Sequence, residues 1–134
     1  MHSECPVSSS SMIPALLPGD RLQWVETSPA DLRFGDIVLY LRGHVLVAHR
    51  FLFKRRKGGR TMLVCQGDAL PYPDRPLARE ALLGRCVAVS RGEKTWAVNR
   101  FSNITIAFLT MAKTLLRRLF TIVRSRREPD ANPS

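Results

Sequence analysis

The sequence predicts a mainly β domain, an antiparallel meander or barrel, that runs into a single C-terminal amphipathic helix. Three observations carry this expectation. Runs rich in β-branched and aromatic residues recur through the first two-thirds of the chain, Gly, Pro and Asp punctuate them, and beyond Arg100 the apolar residues change to alternating spacings of three and four. Apolar residues make up 45% of the 134, with nine prolines and eight glycines, which suits one folded, turn-rich domain long enough to bury a core.

Taken in order, residues 1–7 read as an N-terminal arm ahead of a serine cluster. Leu17-Pro18-Gly19-Asp20 is a turn that feeds a strand over Arg21–Glu26, and Phe34-Gly35-Asp36 is another that feeds Asp36–Arg42. Strands over His44–Phe53 and Thr61–Gln66 follow. Between them Lys54–Arg60 (KRRKGGR) reads as a charged hairpin tip in which Gly58-Gly59 supplies the positive φ. Pro71, Pro73 and Pro76 lack the N–H that a strand ladder needs, so PYPDRP must be a loop. Strands resume at Leu83–Ser90 and Thr95–Asn99. Ile104, Phe108, Met111, Leu115, Leu119 and Ile122 then form a helical stripe, with Thr110, Lys113, Thr114, Arg117, Thr121 and Arg124 on the opposite face. The expected organisation is an arm (1–7), one domain (8–100), a basic amphipathic helix (101–124) and a frayed tail (125–134).

Net charge is +10 and uneven: residues 1–90 carry 12 basic and 8 acidic side chains, residues 91–134 carry 9 and 3. Such a bias favours an anionic partner, nucleic acid or an acidic membrane surface, and charge alone does not choose between them. The helix itself has three readings: packing on its own domain, docking on a membrane surface through 101–124, or insertion in a partner's groove. Cys5, Cys65 and Cys86 have neither CxxC nor Cys/His ligand spacing, so reduced thiols are expected rather than a disulfide framework or a zinc site. MHSECPVSSSS lacks the basic stretch and apolar run of a secretory signal, and no segment reaches ~18 uncharged apolar residues. A membrane-associated or cytoplasmic protein is the expectation.

Few side chains offer chemistry. Ser11 ends a serine run and opens Ser-Met-Ile-Pro, but a hydroxyl without a base is unreactive. Of the three histidines, His49 lies inside the third strand on the face of Val45, Val47 and Phe51, whereas His44 lies on the other face near the turn. That makes His49 the better-placed base. Asp68 and Asp74 flank the proline loop, and either could turn toward the histidine, where a carboxylate fixes the tautomer and stabilises the imidazolium.

The order and spacing of these signals resemble the type I signal peptidases along nearly all of residues 8–89. Ser9-Ser10-Ser11-Met12-Ile13-Pro14 looks like the nucleophile box S-x-S-M-x-P, and Leu17-Pro18-Gly19-Asp20 resembles the xxGD that follows it. Phe34-Gly35-Asp36-Ile37-Val38 is similar to the GDIV strand. Val47-Ala48-His49-Arg50 falls where eubacterial members carry Lys-Arg and ER-type members His-Arg, so this chain sides with the ER type. Gly67-Asp68 with Asp74 looks like the KGDNN…D region, and Gly84-Arg85 resembles the closing G-[RK] strand. The self-cleaving SOS repressors share the superfamily but pair Ser with Lys and carry a helix-turn-helix that this chain lacks.

The resemblance implies a signal-peptidase-like antiparallel β-barrel or β-ribbon fold, with Ser11 as nucleophile, His49 as base, Asp74 as orienting carboxylate and Asp68 as support. It also implies an oxyanion hole made by the Ser11 N–H with the Ser9 hydroxyl. The implied reaction is cleavage of a signal or leader peptide after small residues, with no metal or other cofactor. Departures exist: Ser10 replaces the usual glycine, and Gln66, Ala69 and Leu70 replace Lys, Asn and Asn. Only ten residues precede Ser11, so an N-terminal transmembrane anchor is not expected; either the C-terminal helix supplies membrane contact or the substrate is soluble. A histidine base predicts activity that falls as pH drops through roughly 6.5, the unperturbed imidazole value. Two alternatives accompany this reading: a dedicated cytosolic maturation peptidase for one precursor, and a non-catalytic module that binds nucleic-acid phosphates through Lys54–Arg60 and the basic helix. The second lacks a recognisable motif, so no specific nucleic-acid partner is expected.

Overall fold

The structure, a computed structural model, describes residues 3–127, with side chains described through Arg124. The strands are β1 (Ser3–Pro6), β2 (Arg21–Glu26), β3 (Ile37–Arg42), β4 (Val45–Lys57), β5 (Arg60–Gln66), β6 (Leu77–Ala78), β7 (Leu82–Arg91) and β8 (Lys94–Ala97), followed by the helix α1 (Arg100–Arg127). They form one antiparallel sheet in the order β1-β2-β7-β3-β4-β5-β6, with β8 also on β7. Mainly β with a C-terminal helix is therefore the architecture. The sheet's order ends at β1 and β6, and no pairing among the described residues closes it into a barrel.

β3 explains the layering. Its run Ile-Val-Leu-Tyr is buried on both faces, and the period-2 alternation of a strand sends neighbours to opposite sides. Ile37 and Leu39 join Met12, Leu16, Leu22, Cys86 and Val89 in one cluster; Val38 and Tyr40 join Leu32, Phe51, Leu63, Cys65 and Leu77 in the other. The segment that follows Ser11 is thus anchored by Met12 and Leu16 in the first cluster, while Tyr40 roots its ring in the second. Register shifts interrupt the β3–β7 pairing between Leu39 and Tyr40 and the β4–β5 pairing between Phe51 and Phe53, just beyond His49.

Several expectations need correction. The N-terminal arm is not loose over Ser3–Pro6, because these residues pair with β2 as an edge strand; Met1 and His2 lie outside the described residues. β4 runs on to Lys57, so the charged stretch forms the strand ends of the hairpin and only Gly58-Gly59, at φ 58 and 77, make the turn. Their missing Cβ suits a two-residue turn that needs positive φ twice. His44 sits in the β3–β4 turn rather than opening the strand. Residues 125–127 continue α1, and the remainder of the expected tail lies outside the described residues.

The helix departs furthest. It lies on the sheet domain through Asn103, Ala107, Thr110 and Thr114, all buried, whereas Phe108, Leu115 and Leu119 of the apolar stripe are exposed. Polar ties explain the choice of face. Arg50 donates to Asn103 Oδ1 (3.0 Å), Gln66 Nε2 donates to Thr114 Oγ1 (3.0 Å), and Lys113 Nζ donates to the Asp68 carbonyl (2.7 Å). Gly35 lets the helix start come this close: a Cβ there would stand 2.5 Å from the Asn103 carbonyl oxygen, and its own φ of +94° suits glycine.

Candidate active site

β4 carries His49 directly opposite Val38 of β3, and Tyr40 opposite Val47. Opposed residues of an antiparallel pair share a face, so the Tyr40 and His49 side chains rise on the same side. The segment 8–15 returns across them. Its Ser11 carbonyl accepts from the Ala69 N–H (2.9 Å), Leu16 N–H bonds the Met12 carbonyl (2.9 Å), and the Ile13–Pro14 peptide is cis. From the far side the proline loop brings Asp74, held by its N–H on the Cys65 carbonyl (2.8 Å) and by Arg42 donating to the Arg75 carbonyl (3.0 Å).

Ser11 Oγ and His49 Nε2 lie 2.9 Å apart although 38 positions separate them. His49 Nδ1, on the other side of the ring, pairs with Asp74 Oδ2. Tyr40 donates its hydroxyl hydrogen to the same carboxylate oxygen at 2.5 Å and lies 3.2 Å from His49 Nδ1. Ser9 Oγ is 3.0 Å from Ser11 Oγ. His49 is buried and Ser11 half-buried, so the hydroxyl faces a cleft while the groups behind it are shielded. This cleft, of about 610 Å³, is lined by Val7, Ser9, Ser11, Val47, His49 and Leu70, among others.

Electrostatics follow from these contacts. Burial pushes the Asp74 carboxyl up, but the hydrogen bonds from His49 and Tyr40 outweigh it and hold Asp74 below its ordinary value. Burial, reinforced by the Asp74 hydrogen bond, pushes the Tyr40 phenol well above its usual range, so it stays a donor. Cys65 and Cys86 are thiols pushed up by burial, Cys86 to about 12, and all three cysteines are free. Such thiols are poor nucleophiles.

Asp68 is placed differently from the expected support of the histidine. Its carboxylate takes a two-pronged bond from Arg50, Nε to Oδ1 at 2.8 Å and Nη2 to Oδ2 at 2.7 Å, and Arg50 also donates to the Gly35 carbonyl (2.8 Å). Arg50 is fully buried, and a buried guanidinium requires an anion and filled donors. Asp68 is therefore the counter-ion of Arg50, and it reaches the site only through its loop. Gly67 in that loop is sterically necessary, since a Cβ would lie 2.6 Å from the Ser11 carbonyl oxygen and 3.1 Å from His49 Nε2.

Of the expected residues, Ser9, Ser11, His49 and Asp74 come together and Asp68 stands apart. Sequence reasoning missed Tyr40, although the β3–β4 register was a signal that could have found it. It gave Arg50, part of the His-Arg box, no role of its own, and it missed Asn103, which no local pattern marks. Among the described residues no group of three or more His, Cys, Asp or Glu side chains converges as a metal-ligand set. No family model, curated protein or solved structure matches this chain.

Proposed function

We propose that the protein is a serine endopeptidase of the type I signal peptidase kind, from the Ser/His branch, which cleaves a signal or leader peptide after small residues. The observation that carries this reading is the 2.9 Å approach of Ser11 Oγ to His49 Nε2, with Asp74 on the opposite ring nitrogen. In the reaction, Ser11 Oγ adds to the scissile carbonyl as His49 Nε2 takes its proton. The C–N bond then breaks while the imidazolium returns that proton to the leaving amine. Water, deprotonated by the same nitrogen, adds to the acyl ester, and as the adduct collapses Nε2 passes that proton to Ser11 Oγ, which frees the new carboxyl end and restores Ser11. Asp74 holds Nδ1 as the protonated nitrogen, so Nε2 keeps its lone pair for the serine proton. The oxyanion falls to the Ser11 N–H, which has no intramolecular acceptor among the described residues, together with the Ser9 hydroxyl.

The strand edges support an extended peptide as substrate. The β4–β5 ladder begins at Arg50, so Val45–Ala48 pair with β3 on one side and leave their other backbone edge beside the cleft. A peptide adding as a strand there would pass its carbonyls by Ser11. Small residues before the cut come from the resemblance of the sequence boxes. A dedicated maturation peptidase for one precursor uses the same chemistry. No helix among the described residues is long and apolar enough to cross a membrane.

The test is a serine-reactive acylating probe with the adduct located by mass spectrometry, alongside a peptide-cleavage assay. Label on Ser11 is expected, with Ser11→Ala and His49→Ala each losing roughly 10³-fold or more of activity. Labelling indifferent to both substitutions would defeat the assignment.

A further inference from the structure

Most of the large apolar side chains left exposed among the described residues lie on α1. Phe101 is 83% exposed, Leu116 66% and Phe120 70%, and Leu109, Leu115 and Leu119 are also more than half exposed. At about 100° per residue these six fall within an arc of about 140°, on the side of the helix away from Thr110 and Thr114. The polar side is satisfied by the protein, so a helix that would ordinarily bury its apolar stripe presents it to the outside. Isolated exposed leucines mean little, but a contiguous face of this length marks an interaction site.

Charge selects the occupant. Between Arg100 and Arg127 the sequence carries seven Lys and Arg and no Asp or Glu. On the helix wheel Arg118 borders one edge of the apolar arc, and Arg124 and Arg117 border the other, all three exposed. Cations on both borders of an apolar face match the geometry of a helix lying in the plane of an acidic lipid surface, with rings and leucines in the acyl boundary and guanidinium groups at phosphate depth. Two copies stacked through this face would instead bring those arginines together with no acidic side chain of α1 to offset them.

We infer that α1 docks, apolar face down, on an anionic lipid bilayer. The domain then hangs from the polar side of the helix, and the turn after Ser11 lies close to the membrane, because Pro14 and Ala15 share a hollow with Ile106 and Leu109. The inference does not depend on the chemistry of Ser11.

The test is flotation of the full chain with vesicles of phosphatidylcholine alone and with about one part in three phosphatidylglycerol. Binding at least about tenfold tighter to the anionic vesicles is expected, weakening as salt shortens the screening length from about 10 to about 3 Å. Leu116→Glu with Phe120→Glu should lose at least about tenfold of that binding, and Arg117→Gln with Arg118→Gln and Arg124→Gln should erase the preference for anionic lipid. Circular dichroism checks that each variant folds; if the double glutamate variant does not, Leu116→Ser with Phe120→Ser takes its place. Absence of binding to the anionic vesicles, or binding that survives loss of both apolar side chains, would overturn the inference. So would a lipid-free dimer in sedimentation that the same substitutions dissolve, or an acidic protein partner that vesicles fail to displace.

Discussion

Asp74 and Asp68 are six positions apart in one loop, and they do different work because of what faces them. Asp74 meets the imidazole and a phenol; Asp68 meets a buried guanidinium. Asp74→Asn should therefore cut turnover by on the order of 10³, by offering His49 Nδ1 the wrong partner. Asp68→Ala should instead cost about 3–5 kcal/mol of stability, measured by urea unfolding, because Arg50 would be left charged, buried and unpaired. Tyr40→Phe tests the residue that sequence reasoning missed. Removing one hydrogen bond to a charged carboxylate should lower kcat about tenfold with KM little changed, since the phenol touches Asp74 and His49 and lies behind them rather than in the cleft. A drop confined to KM would contradict this positioning role.

The Gly67 loop and the β4–β5 hairpin separate two uses of glycine. Gly67→Ala would press a methyl group against the Ser11 carbonyl and the His49 ring, so activity should fall by more than about tenfold. Gly58→Ala meets open space but must hold φ near 58°, so it should cost about 1 kcal/mol of stability and leave activity alone. Peptide cleavage and thermal unfolding on the two variants check the contrast. The helix makes the complementary point about pattern: Asn103 and Thr114 pack inward because Arg50, Gln66 and the Pro71 carbonyl need them, and hydrogen-bond demand outranked the apolar stripe. Periodicity could show that residues 101–124 form an amphipathic helix. It could not show which side the domain would claim, since that depends on polar atoms contributed by β4 and β5.

Acid should loosen the whole molecule in a defined window. Asp20 is held below the ordinary carboxylate range chiefly by the Arg91 guanidinium, against the opposing pull of burial and with help from the Leu17 N–H; Asp74 is lowered by His49 and Tyr40 despite its burial. A carboxyl whose folded value is depressed adds stability that is complete above its unfolded value, about 4, and is lost as pH falls through the folded value. Urea midpoints should thus be level from neutrality down to about pH 5 and decline below about pH 4, with a shallower decline in Asp20→Asn. A midpoint that rises on acidification would reject this linkage.

Much of the architecture was legible locally. β-Branched runs, glycine turns and proline gaps located most of the strands to within a few residues, because backbone conformation depends on near neighbours. Ser11, His49 and Asp74 could be named from ordered boxes. Their proximity, the diversion of Asp68 to Arg50, the arrival of Tyr40 and the outward turn of the apolar helix face belong to the folded sheet alone. Their hydrogen bonds join side chains 18 to 53 positions apart, and only the packing of β3, β4 and α1 sets the distances on which proton transfer and ion pairing depend.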